Sequence, residues 1–153
     1  MKISLATIVD AQEILDLQKL AYRSEAELYN NYDIPPLTQK NDEINDQFKN
    51  NIFLKSISEG KIIGTVRAYE ENKTCYIGRL AVHPNSQNCG VGTALMKAME
   101  DHYTPQRFEL FVGSKSQKNI YLYKKLGFAI YKTETYKYGD IEIFYMEKYS
   151  KDI

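Results

Sequence analysis

Apolar residues recur along this chain with two different periods, and the changes of period mark out its elements. Residues 3 to 7, ISLAT, read as a first strand. From Asp10, a side chain suited to capping a helix, to about residue 28, Ile14, Leu17, Leu20 and Ala21 fall at helical spacing. The stretch NNYDIPPLT, residues 30 to 38, ends that helix, because paired prolines cannot continue it. Residues 40 to 49 predict a second, more polar helix. Three strand-like runs follow, NIFLKSI, KIIGTVRAY and CYIGRLAV, separated by SEGK and EENK turns. A glycine-bearing stretch then leads into a helix from about residue 90, RFELFV reads as a strand, and SQKNIYLYKKL reads as a helix stopped by Gly127. FAIYKTETYKY and IEIFYMEKY close the chain as a hairpin around Gly139 and Asp140. This order predicts an α/β domain with a mixed sheet. No repeat, linker or low-complexity tract divides it, so residues 1 to 153 read as a single domain.

Composition narrows the function. Lysine plus arginine equals aspartate plus glutamate at 20 each, so nothing suggests the basic excess of a duplex binder, and no nucleic-acid partner is expected. The longest early apolar stretch, residues 3 to 9, is too short to span a bilayer and lacks a small-residue cleavage signature. No membrane partner is expected, and a cytoplasmic protein is. Cys75 and Cys89 fit no zinc spacing and make a poor disulfide framework, so no metal is expected either. With 13 tyrosines in the chain, residue type alone singles out none of them.

Candidate chemistry concentrates in HPNSQNCGVGTALMKAMEDH, residues 83 to 102. Glycine is a poor helix residue, yet Gly90 and Gly92 stand where this helix starts. Beyond them Val91, Ala94, Leu95, Ala98 and Met99 form one apolar stripe at helical spacing. The first turn of such a helix offers unpaired N–H groups and the positive end of the dipole, which together suit a phosphate. Glycines there remove side chains that would hold an anion away. A tight turn before a core helix would use the same residues. Two familiar phosphate motifs do not fit: position 95 is leucine where a dinucleotide fingerprint needs its third glycine, and no G-K-[ST] follows.

The string Q-N-C-G-V-G after L-A-V-H-P resembles the acetyl-CoA loop of the GNAT superfamily of N-acetyltransferases, Q/R-x-x-G-x-G/A, with Gln87, Gly90 and Gly92 at its defining positions. N-I-Y-L-Y-K-K-L-G-F, residues 119 to 128, resembles that family's second motif, and the strand-helix-strand-helix order between the two agrees. The resemblance is strongest over residues 76 to 131 and weak before residue 50. It implies the GNAT fold: a mostly antiparallel central sheet, splayed at the acetyl-CoA strand and flanked by about four helices. It further implies acetyl-CoA as cosubstrate, with pyrophosphate on the amides of Asn88, Cys89, Gly90, Val91, Gly92 and Thr93 and with Gln87 closing the loop. The pantetheine arm would pair along Leu80, Ala81 and Val82 like an added strand. The amide near Val82 would face the thioester oxygen and stabilise the oxyanion. Asn119 would bond the cofactor's amide region, and Lys124 and Lys125 would approach its phosphates unless they are merely solvated. A homodimer is compatible with the resemblance.

Tyr123 stands at the family's general-acid position, four residues before Gly127. A phenol with pKa about 10 keeps its proton at neutral pH and can give it to a departing thiolate of pKa about 8.5. The alternative is a core tyrosine beside Ile120 and Leu126. The acceptor, a primary amine on a small molecule or peptide, is an ammonium ion at neutral pH and must lose a proton before it attacks. Many relatives place a glutamate two residues before L-A-V, where this chain has Gly78. Glu25, Glu27, Glu70 or a water chain remain as bases, with Glu25 the catalytic candidate. YRSEAELYNNYDIPP adds Tyr22, Tyr29 and Tyr32 to acidic groups in the region where the family builds its substrate wall, a mixture suited to a cation and equally to a solvated helix end. Arg79 points the other way, since a buried arginine beside the site can bind a substrate carboxylate. Cys89 at a helix start raises the rival reading of a reactive thiol, against which no histidine lies nearby in sequence. His83 reads as a turn residue before Pro84. The expectation is direct acetyl transfer in a ternary complex, with a non-catalytic acyl-CoA-binding or regulatory domain of the same fold as the alternative.

Overall fold

One seven-stranded sheet of order β1-β2-β3-β4-β5-β7-β6 carries the fold. The computed structural model describes residues 1 to 136 and 139 to 150. Along the chain come β1 (Lys2–Leu5), α1 (Ala11–Ala21), α2 (Arg23–Tyr29), α3 (Pro35–Thr38) and α4 (Asn41–Gln47). A meander of β2 (Ile52–Ser58), β3 (Lys61–Glu71) and β4 (Thr74–Val82) follows. Then come α5 (Val91–His102), β5 (Arg107–Gly113), α6 (Gln117–Lys125) and the hairpin of β6 (Ala129–Tyr136) and β7 (Ile141–Tyr149). Among the described residues only β4 and β5 run parallel, and every other neighbouring pair is antiparallel.

Six α-helical segments among the described residues stand where about four were expected. Two differences account for this. The helix anticipated over residues 10 to 28 is broken at Tyr22, and each half buries a different face. Ile14, Leu15 and Leu17 of α1 pack with Ile44 and Phe53, whereas Ala26 of α2 packs with Ile34, Ile141 and Ile143. The paired prolines do more than end a helix: Pro35 opens the single turn of α3, where its missing N–H costs nothing. Asp10 stands at the N-cap of α1 without a side-chain capping bond, its carboxylate accepting instead from the Thr7 amide and Lys55 Nζ.

The main core forms where α5 lies over the sheet. Val91, Leu95, Met96 and Met99 meet Val66, Ala68, Ile77 and Leu110, and Met96 extends the stripe beyond the expected set. Gly64 permits the approach, because a Cβ there would stand 2.7 Å from Val91 Cγ1 and 2.9 Å from Leu95 Cδ1. The α6 helix ends in a Schellman closure. Phe128 N–H donates to Tyr123 O and Gly127 N–H to Lys124 O, with Gly127 at φ +100°. The terminal hairpin pairs Tyr136 with Ile141 and turns through Gly139 at φ +89°. The last two residues of the strand expected over 128 to 138 lie outside the described residues.

Two irregularities in β4 create the site. Its register against β3 moves from Thr65 opposite Ala81 to Arg67 opposite Gly78, so Arg79 and Leu80 together face Val66, and Arg79 takes φ +53°. On its other edge β4 pairs with β5 only over Thr74, Cys75 and Tyr76. Beyond Tyr76 the two strands diverge.

Candidate active site

The divergence opens a cleft of about 840 Å³ between β4, α2, the start of α5 and α6. Leu80, Ala81 and Val82 form its wall, with Gln87, Asn88, Gly90, Val91, Gly92 and Thr93 at one end. The loop that precedes α5 turns through Asn88 at φ +62° and Gly90 at φ +80°, conformations that asparagine and glycine tolerate. The first helical bond of α5 is Ala94 N–H to Gly90 O at 3.0 Å, and no side chain caps the helix. The amides of Val91, Gly92 and Thr93 therefore precede the helical ladder, at the positive end of the helix and against the cleft. Cys89 does not join them. It is exposed, and its thiol donates to Gln87 O at 3.4 Å. His83 is a turn residue as expected, accepting from the Asn85 amide at 3.1 Å.

The opposite end of the cleft is built by α2 and the start of α6. Glu25 is half-buried; its carboxylate accepts from Ser116 Oγ and, at 3.4 Å, from Asn119 Nδ2. Asn119 thus faces the cleft already engaged with Glu25. Tyr29 lies across Gly113, where any Cβ would collide with its ring, and its hydroxyl pairs with Ser116 Oγ at 2.9 Å and accepts from the Lys115 amide. Tyr22 hydroxyl donates to Leu80 O at 3.1 Å, pinning the break between α1 and α2 to the bulged strand. Burial pushes the Tyr22 phenol up to about 12, with Glu25 adding to the rise and Arg79 opposing it.

Tyr123 belongs to the core. It is 7% exposed, with its ring edge-on to Phe128. It is absent from the cleft lining, which includes its neighbours Tyr121 and Leu122. Its hydroxyl has no hydrogen-bond partner among the described residues, yet Ser56 Oγ is the one side-chain polar atom there that is both sealed from solvent and unpaired. The Tyr123 hydroxyl therefore retains a path to solvent. Burial, then Tyr22 and Glu25, raise its pKa well above the ordinary phenol value, so the group stays protonated at neutral pH.

Of the other carboxylates considered, Glu27 lines the cleft, whereas Glu70 is exposed at the far end of β3 opposite Cys75. Tyr32 is exposed and outside the cleft. Lys125 lines it and Lys124 does not; Lys115 and Lys118, which sequence reasoning passed over, line it as well. Among the described residues no cluster of histidine, cysteine and acidic side chains could hold a metal. None of their helices is long and apolar enough to cross a membrane.

A second polar group, of which the sequence reading singled out only Arg79, lies beside Tyr22. Arg67, 5% exposed, donates to the side-chain oxygens of Gln18 and Gln47 and, at 3.4 Å, to Gln39 Oε1. Its guanidinium lies 4.6 Å from the centre of the Phe53 ring. Arg79 Nη1 donates to the same Gln39 oxygen at 3.1 Å. Burial followed by the Arg79 charge lowers the Arg67 pKa to about 9, and burial lowers that of Arg79. The periodicity gave no sign of this cluster, because isolated glutamines read as surface residues.

Comparison with known proteins matches this architecture. A model of the acetyltransferase (GNAT) family matches residues 11 to 128. The UPF0157 protein YqkA of Bacillus subtilis (strain 168) is 34% identical over 129 residues, covering 83% of this chain and 36% of that protein; the chain spans about a third of this relative's length. Among solved structures, smu.2055 from Streptococcus mutans UA159 superposes with a TM-score of 0.83 at 22% identity, covering 97% of this chain and 99% of that one. The paia N-acetyltransferase from Thermoplasma acidophilum in complex with coenzyme A gives 0.79 at 16%, covering 98% and 100%. The ribosomal-protein-S18-alanine N-acetyltransferase from Escherichia coli gives 0.74 at 17%, covering 99% and 97%. At these identities the superpositions establish a shared fold.

Proposed function

The chain belongs to the GNAT acetyltransferase family, and we propose that it transfers the acetyl group of acetyl-CoA to a primary amine by direct attack in a ternary complex. One observation carries this reading: the unpaired edge of β4 and the free first-turn amides of α5 open on the same cleft. A pyrophosphate suits the amides of Val91, Gly92 and Thr93, and an extended amide-bearing arm suits the edge of Leu80, Ala81 and Val82, which has no strand partner and whose Leu80 carbonyl keeps a second lone pair beside its bond from Tyr22. Gln87, Asn88 and Cys89 complete the loop, with Lys115, Lys118 and Lys125 adding positive charge at the rim.

The amine nitrogen forms a bond to the thioester carbon, the carbonyl oxygen takes up negative charge beside the strand amide near Val82, and the C–S bond then breaks. The proton that the thiolate needs is assigned to Tyr123 acting through an intervening water, since its hydroxyl lies outside the cleft lining and keeps a path to solvent. Glu25 takes the proton that the amine loses, since its carboxylate has acceptor sites beyond those used by Ser116 and Asn119. Those same bonds, with Gly78 where a base would stand, favour as the alternative a non-catalytic acyl-CoA-binding domain.

Release of free thiol from acetyl-CoA, followed against a panel of primary amines, separates the two readings. Turnover supports transfer, and binding without thiol release supports the alternative. Gly92→Glu places a carboxylate against the first-turn amides and should abolish acetyl-CoA binding in calorimetry, with helix content nearly unchanged. Wild-type affinity in that variant would overturn the cofactor assignment.

A further inference from the structure

Arg67 and Arg79 raise a question that acetyl transfer alone does not answer. Buried charges are ordinarily paired with opposite charges, because desolvating an ion is costly. Neither guanidinium has an ion-pair partner among the described residues. Their contacts are the neutral side-chain oxygens of Gln18, Gln39 and Gln47. Glu43 acts on Arg79 only through space, and its Oε1 accepts from the Lys40 amide at 2.8 Å. Two positive charges therefore share one neutral oxygen, Gln39 Oε1, with no anion among the described residues in contact with either.

Arg79 also has capacity to spare. Only its Nη1 is bonded, which leaves Nε and Nη2, one edge of the fork that takes a carboxylate in bidentate fashion, without partners among the described residues. The residue is only half-buried, unlike Arg67 behind it. A non-glycine residue at φ +53° is unusual, and the bulge that carries it leaves Arg79 within electrostatic reach of Tyr22, which lines the cleft where Arg79 itself does not. Arg79 lies three residues before Val82 on one strand, so their backbones are roughly 10 Å apart at most.

We propose that the acceptor amine also carries a carboxylate, and that Arg79 binds it while Arg67 adds a second positive charge behind. The proposal rests on the transferase reading above and specifies its acceptor as a small zwitterion of amino-acid size. A free carboxylate would supply the missing negative charge and fill the open edge of the fork.

The test compares each of several L-amino acids with its own carboxamide, and lysine and phenylalanine also with cadaverine and phenethylamine, which lack the carboxylate. In the wild-type enzyme the best carboxylate-bearing acceptor should exceed its neutral counterpart in kcat/KM by about a hundredfold, the scale expected for a charge that would otherwise be left unpaired. In Arg79→Asn, whose side chain tolerates φ +53°, that ratio should fall toward one. Gln39→Glu, which sets a permanent carboxylate beside Arg79, should lower the ratio too and serves if Arg79→Asn does not fold. A wild-type ratio near or below one, or a ratio unchanged in the variants, would overturn the proposal. If no amine releases thiol, the transferase reading has failed separately, and calorimetry with N-acetyl-phenylalanine and its amide decides. A wild-type preference for the acid that is lost in the variants supports the carboxylate site, and equal or undetectable binding of both removes it.

Discussion

Gly64→Ala tests whether the cleft depends on how closely α5 sits on the sheet. Gly64 is buried in β3, opposite Ser56 and Val82, in a backbone conformation open to any residue. The added methyl would meet Val91 Cγ1 at 2.7 Å and Leu95 Cδ1 at 2.9 Å, short of ordinary contact by about half an ångström or more. Both neighbours are buried, Leu95 completely, and Val91 is stiff at χ1, so neither can step aside into solvent. Overpacking of this kind costs about 1–3 kcal/mol. For a domain of this length each kcal/mol moves Tm by about 2–4 °C, so a fall of roughly 2–12 °C is expected in a thermal melt. Val91 is also the first residue of α5, so its retreat disturbs the free amides and should weaken acetyl-CoA binding severalfold in calorimetry. Gly92→Ala is the control, since its methyl would meet only ordinary contacts at 3.5 to 3.8 Å and should leave Tm level or slightly raised. A Gly64→Ala protein that melts within about 1 °C of wild type and binds acetyl-CoA equally well would refute this account of the packing.

Two further substitutions address the chemistry. Tyr123→Phe removes a hydroxyl without a protein partner, so Tm should stay within about 2 °C while kcat falls roughly ten- to a hundredfold; wild-type turnover would make Tyr123 a packing residue only. Because burial raises this phenol's pKa, its acid form persists as pH rises through the ordinary value of about 10, and the rate deficit should stay constant from about pH 7 to 10. Glu25→Gln should lower kcat/KM for the amine and leave the acetyl-CoA dissociation constant alone; equal activity across about pH 6–9 would assign proton removal to water.

The acetyl-CoA end of the site was legible because it is local. Gly90 and Gly92, a turn before them and an apolar stripe after them lie within a few residues, and glycine at φ +80° leaves a direct trace in sequence. Strand alternation and Gly127 likewise revealed β2 to β7 and the end of α6. The break at Tyr22 left no trace, since helical spacing runs through it and the contact made there is a hydroxyl bonded to Leu80, 58 positions away. The same holds for Glu25, whose partners Ser116 and Asn119 lie 91 and 94 positions along the chain. The Arg67 cluster draws on α1, the residue after α3, α4, β3 and β4, and only the fold brings its three glutamines together. Tyr123 showed its burial through its spacing from Ile120, but the family position drew attention to its hydroxyl instead.

The divergence of β4 from β5 also bears on how the chain folds. The β2–β4 meander and the β6–β7 hairpin pair strands adjacent in sequence, and such short-range pairings form early. The parallel junction needs the α5 crossover in place first and then gains only three residue pairs. It is the seam expected to knit last and to open first under native conditions. The opening that admits a long, narrow ligand thus lies where the cooperativity of the sheet is lowest, and a chain sealed along the whole of β4 would trade that entrance for a sturdier fold.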